Sequence, residues 1–170
     1  MNDNLDLLAR RLELNAPTHE RLRLAFGHAC ALRVRHLLEE PAAIECLNGL
    51  GRYLEGELSV EGRQRLAAEA SRLANQHPGS KSIDGCGHAA VSATYAVANA
   101  LAGKALQAAD YAAYAMVYGA GGYGAVVERG SFEPEFEWQV RCLAALAQDR
   151  RRLILSGSAA TPLAAGPRVA

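Results

Sequence analysis

Between Ser82 and Val127 only Asp84, Lys104 and Asp110 carry formal charge, while Ala, Gly and Ser recur at three- and four-residue intervals. A helix that is apolar on nearly every side has to be buried on nearly every side, and small side chains let its neighbours approach closely. The stretch therefore predicts two central helices, over 84–101 and 104–118, with the rest of the chain wrapped around them. Composition agrees: 34 Ala and 23 Leu stand against 15 Val, Ile and Thr together, so helix formers far outnumber strand formers.

The flanks supply the wrapping. Asp3 to Leu14 places Leu5, Leu8 and Leu12 at helical spacing before Asn15 and Pro17 break the pattern. Thr18 is positioned to cap a second helix, expected to run to about Glu40, with Leu22, Ala25, Phe26, Ala29, Cys30, Val34 and Leu37 on one stripe. Pro41 both stops that helix and opens the next, whose buried face is Ile44, Leu47, Leu50 and Leu54 and whose end is Gly56. Ser59 caps a helix with Leu66, Ala70 and Leu73 inward, closed by the His77-Pro-Gly-Ser80 turn. Gly119 to Gly124 reads as a flexible connector to a last helix that starts near Pro134 and carries Phe136, Trp138, Val140, Leu143, Leu146 and Leu153. The expectation is an all-α fold: a compact bundle of six to seven helices forming one domain over 1–155, with a flexible tail over 156–170.

Charge narrows the function. Eighteen basic and eighteen acidic residues give a formal net charge of +0, which argues against a general nucleic-acid or membrane-surface binder. The four cysteines, Cys30, Cys46, Cys86 and Cys142, are widely spaced and follow no signal-peptide pattern, so reduced thiols in a cytoplasm are expected.

Several motifs suggest chemistry. Asp84-Gly-Cys86-Gly-His88 groups a carboxylate, a thiol and an imidazole at a helix start, the alternative basis for a small thiol- or metal-dependent enzyme. A catalytic Cys–His pair is normally assembled from distant parts of a chain, and a zinc site from His77, Cys86 and His88 lacks a fourth ligand. His28 and His36 lie eight residues apart and are read as satisfied or solvent-facing. The Gly119–Gly124 run lacks the strand before it and the Lys-Ser/Thr after it that a phosphate loop needs. Glu39, Glu40, Glu55 and Glu57 sit at helix ends as solvated charges. The residues thus predict no catalytic group, no metal and no cofactor.

A recognition surface is better supported. On a helical wheel Tyr111, Tyr114 and Tyr118 share one side with Lys104 and Gln107, opposite Leu101, Ala105, Ala109, Ala112 and Met116. With Tyr123 just beyond, they form either a covered boundary layer or an aromatic interface. In Phe132-Glu-Pro-Glu-Phe-Glu-Trp138 acid alternates with aromatic, so Glu133, Glu135 and Glu137 join the four tyrosines as candidate partner-binding residues.

Three stretches together resemble a known family: His28-Ala-Cys-Ala-Leu-Arg-Val34 with Leu37-Leu-Glu-Glu-Pro41 and Ala43-Ile-Glu-Cys-Leu47; Gly87-His-Ala-Ala90 with the alanines that follow; and Glu135-Phe-Glu-Trp-Gln139. Their order over residues 20–147 is similar to the all-helical immunity proteins of bacterial polymorphic toxin systems, the immunity-protein-five-like family. An Asp-x-Arg-Pro segment expected after the first helix is missing, and Tyr53 stands where Trp is common. The resemblance implies a non-enzymatic cytoplasmic protein that binds a cognate protein toxin, such as a nuclease delivered by a secretion system. The neutral net charge argues against direct contact with nucleic acid, and no apolar run of about 18 residues is there to span a membrane. A homodimer through the tyrosine face is the alternative use of the same surface.

Overall fold

The computed structural model describes residues 2–79 and 87–158 and is all-α. Seven helices are present among these residues: α1 (Asp3–Arg11), α2 (Glu20–Arg33), α3 (Pro41–Glu55), α4 (Val60–Gln76), α5 (Gly87–Leu101), α6 (Ala105–Val127) and α7 (Glu133–Ser158). Several boundaries follow directly from local chemistry. Asn2 caps α1 by accepting the Leu5 amide at 3.1 Å, and Ser59 caps α4 by accepting that of Gly62 at 3.1 Å. Gly56 ends α3 in the left-handed region at φ 83°, where its amide and that of Glu57 reach the carbonyls of Tyr53 and Arg52.

Helix α5 occupies the centre, with Ala89, Ala90, Ala93, Ala96, Val97, Ala100 and Leu101 all buried, and it touches α2, α3, α4 and α6. Its small residues matter most at the crossing with α2, where a Cβ on Gly27 would stand 3.1 Å from the Ala100 Cα. Phe26, Leu24, Leu47, Leu50, Leu101 and Leu143 fill the continuous core beside that crossing. Helix α6 gives the core its Ala105, Ala108, Ala109 and Ala112 side and turns its tyrosines outward. A smaller cluster of Ala113, Val117 and Phe132, flanked by Val126 and Phe136, joins the far end of α6 to the start of α7.

The second helix is shorter than its apolar stripe suggests. It ends at Arg33, Arg35–Leu37 form a 3-10 turn, and Glu40 is extended at ψ 117°. Pro41 disfavours helical geometry in the residue before it, and β-branched Val34 offers little helix propensity to bridge the gap. The first turn of α2 likewise begins from a 3-10 segment, Pro17–His19, rather than from a Thr18 cap. The glycine run is not a loop: α6 continues through it and kinks at Gly122, whose φ of 63° and ψ of −151° suit glycine alone. At the far end, α7 carries helical backbone to Ser158, three residues into the expected tail, and residues 159–170 lie outside those described.

His28, half-buried on α2, faces Gly51 of α3, where an added Cβ would lie 3.3 Å from the imidazole Nε2. Burial pushes its pKa below the usual 6.5, with Glu55 and the Leu47 backbone pulling the other way more weakly. As pH falls below 6.5 the unfolded chain gains a proton that folded His28 resists, so stability is lost until the folded imidazole also titrates. Urea melts between about pH 7 and pH 5 are expected to show a shallower loss of stability in His28→Gln than in wild type.

Candidate functional site

The tyrosines of α6 belong to an aromatic band that also draws on α5, on α7 and on the 3-10 turn Arg129–Phe132 that leads into α7. Tyr114 packs edge-on against Phe132 with ring centres 5.2 Å apart, and Phe132 lies 5.5 Å from Phe136. In the other direction Tyr114 is followed by Tyr118 at 6.2 Å and Tyr123 at 5.7 Å from that ring. His88, at the start of α5, closes the end of the band, 5.4 Å from Tyr118 and 5.3 Å from Tyr123. Tyr123 follows directly on the Gly122 kink, and its ring meets both Tyr118 and His88. Tyr114 and Tyr123 remain 40% and 57% exposed, and Val127 beyond them 84%, so the band presents apolar area to solvent. Tyr111 stands apart, stacked at 4.9 Å on Tyr95, whose hydroxyl donates to Asn75 of α4.

The three glutamates separate. Glu133 and Glu137 point outward, whereas Glu135 is 4% exposed and receives Arg33 in a bidentate pair, with Nη2–Oε2 at 2.7 Å and Nε–Oε1 at 3.0 Å. Arg33 also lies 4.3 Å above the Trp138 ring. Glu135 is therefore removed from the solvent-facing acidic set. The reason is helical: at about 100° per residue Glu133 and Glu137 share a face, and Glu135 is turned about 200° from Glu133. The same rotation sends Phe132 and Phe136 to the band and Trp138 to Arg33.

Between the first residues of α1, the middle of α6 and the start of α7 lies an open groove of about 1100 Å³. Tyr114, Phe132 and Phe136 line it together with the carboxylates of Asp3, Asp110, Glu133 and Glu137 and the guanidiniums of Arg129 and Arg141. Asp110 is half-buried; burial, with Asp6 nearby, raises its carboxyl above the usual range, offset in part by the charge of the amino terminus. Sequence reasoning left Asp110 out of the site, although a lone acid one helical turn before Tyr114 in an otherwise uncharged stretch was the available signal.

The other motifs are dispersed. His88 is exposed against its tyrosines, and Asp84 and Cys86 lie outside the described residues. His77 accepts the Gly79 amide at its Nδ1, and His36 is exposed in the 3-10 turn after α2. Among the described residues no three His, Cys, Asp or Glu side chains are placed to share a metal ion, and no helix is long and apolar enough to cross a membrane. Cys30, Cys46 and Cys142 are free thiols whose pKa values burial raises, Cys30 the most. Buried thiols of this kind are poor nucleophiles. In comparisons with protein-family models, curated proteins and solved structures, nothing matches the chain.

Proposed function

We propose that the protein is a non-enzymatic immunity protein that binds a cognate bacterial toxin and holds it inactive in the cytoplasm, the toxin being a nuclease. The observation that carries this reading is the exposed aromatic band beside an acid-rimmed groove, mounted on a closely packed helical core. Tyrosines presented from rigid elements give large contact area with little side-chain entropy to lose, and anchors of this type dominate binding energy. Acidic rim groups steer a basic partner, as the nucleic-acid-binding cleft of a nuclease is. The resemblance of residues 20–147 to immunity proteins points to the same class of partner. Tyr114, Tyr118, Tyr123, Glu133 and Glu137 are its contact residues, with Tyr111 at the edge of the face.

The test is co-expression with the product of the adjacent gene, followed by affinity purification and a binding titration. A stable complex is expected, and Tyr114→Ala combined with Tyr123→Ala is expected to weaken it by at least about tenfold. Failure of the wild-type chain to capture its neighbour would overturn the reading.

A further inference from the structure

The far end of α6 is held unlike the rest of it. Up to Val117 the helix is backed by buried side chains, Ala108, Ala109, Ala112, Ala113 and Ala115 among them. From the kink at Gly122 to Ser131 no residue is buried, and burial resumes only at Phe132. Beyond the kink Tyr123 to Val127 continue the helix for little more than one turn, and a single turn does not hold by its own hydrogen bonds. Gly124 in that turn costs it about fivefold in helical equilibrium relative to alanine. Packing beneath is incomplete as well. A hollow of about 310 Å³ is lined by Ala125 and Ser131 of this segment together with Met116, Val117 and Pro134, which there lack the contacts that a filled interior supplies. The contacts that remain are few. The Tyr123 ring stands edge-on to Tyr118 and His88, and Ala125 and Val126 lie on the cluster of Ala113, Val117 and Phe132.

We propose that residues 122–131 form a strap that opens about Gly122 while the rest of the fold stays intact, that Tyr123 is its latch, and that a protein partner on the aromatic band holds it shut. The last part rests on the reading above, that this band meets a toxin. Gly122 suits a pivot because its backbone already lies outside helical geometry, and open space surrounds it. Gly130, at the other end of the strap, is equally unobstructed. Opening gives up one ring's contacts and a few small apolar ones, so it belongs with the local openings that cost far less than global unfolding. Tyr111, Tyr114 and Tyr118 precede the kink and keep their places when the strap opens, whereas Tyr123 leaves. A partner that touches Tyr123 only in its latched position therefore depletes the open state in proportion to its binding.

The experiment is amide hydrogen exchange of the full chain, free and bound to the product of the adjacent gene. In the free protein the strap is expected to exchange at least about a hundredfold faster than residues 108–115, yet more slowly than an unfolded chain. Tyr123→Ala should speed the strap about tenfold and leave 108–115 unchanged. Gly124→Ala, whose new Cβ meets nothing within 4 Å at a position without positive φ, should slow the strap about fivefold, again without effect on 108–115. In the complex the strap should slow by at least about tenfold. A strap that exchanges no faster than 108–115 would overturn the proposal, since it would open only with the whole fold. So would exchange at the rate of an unfolded chain, for then nothing is latched, and so would equal slowing of both segments by Gly124→Ala. Exchange indifferent to Tyr123→Ala overturns the latch. A complex that forms with strap exchange unchanged overturns the partner's hold on the strap and leaves the immunity reading. Absence of any complex overturns that reading, and exchange in the free protein still decides the strap.

Discussion

Gln139→Ala is expected to destabilise the protein by about 3 kcal/mol, lowering Tm by roughly 6 to 12 °C in calorimetry. Gln139 is completely buried on α7, where its Nε2 donates to the Ala109 carbonyl of α6 at 2.8 Å and its Oε1 accepts from Asn2 at 3.1 Å. Asn2 in turn donates to the Phe136 carbonyl and caps α1 through the Leu5 amide. One side chain thus ties three helices together through polar atoms that water cannot reach. Alanine there opens a cavity, removes the donor to Ala109 and takes away one acceptor of the Asn2 amide. Each of those effects costs on the order of 1 kcal/mol or more. Gln139→Glu is expected to be no milder, since it replaces the donor facing a carbonyl with an acceptor in a buried position.

Glu135→Ala is expected to cost about 2 to 3 kcal/mol, read as a fall in the urea midpoint without a change in slope. The glutamate is 4% exposed and holds Arg33 with two hydrogen bonds, while the Arg33 side chain is 33% exposed and can turn part of its charge to water. That exposure keeps the loss below the largest values seen for broken buried pairs. Replacing both residues together, Arg33→Met with Glu135→Leu, is expected to recover most of the lost stability, because neither charge is then left without its partner. The pair therefore fixes how α2 and α7 meet. Its loss should leave affinity of the outward face for a partner unchanged at temperatures where the variant is folded.

The all-α fold was legible in the sequence because its strongest signal, the near absence of charge through the α5–α6 region, maps directly onto burial: Ala89 to Leu101 and Ala105 to Ala115 supply much of the interior. Pro41, Gly56 and Ser59 were equally plain, since each acts through its own backbone geometry or through an amide three residues away. The end of α2 was not, because the apolar stripe continues through Val34 and Leu37 and both are buried after the helix has stopped. Periodicity reports which side chains go inside, and here a 3-10 turn puts Leu37 inside as well as a helix would. The Gly119–Gly124 run was misread for a similar reason: six residues rich in glycine suggest a loop, but only Gly122 uses the conformational freedom.

The candidate site divides in the same way. The side of α6 that carries Tyr114 could be read from the wheel, which sets it opposite the buried alanines, but whether another element covers that side could not. The fate of Glu135 could have been read too, had the acid–aromatic alternation been wound onto a helix instead of being taken as one patch. Contacts made across long sequence separations could not: Asn2 with Gln139, Arg33 with Glu135, and His88 with Tyr123 depend on how helices distant in the chain are docked. The groove is the product of such docking, since Asp3, Asp110 and Glu137 come from three different helices.

The most direct measurement is growth of cells that express the adjacent gene's product, alone or with this protein supplied as wild type or as Tyr114→Ala with Tyr123→Ala at matched abundance. Toxicity relieved by wild type and restored by the double variant is the expected result. A harmless neighbour, or rescue that is indifferent to both tyrosines, would contradict the account of this face as the surface that neutralises a toxin.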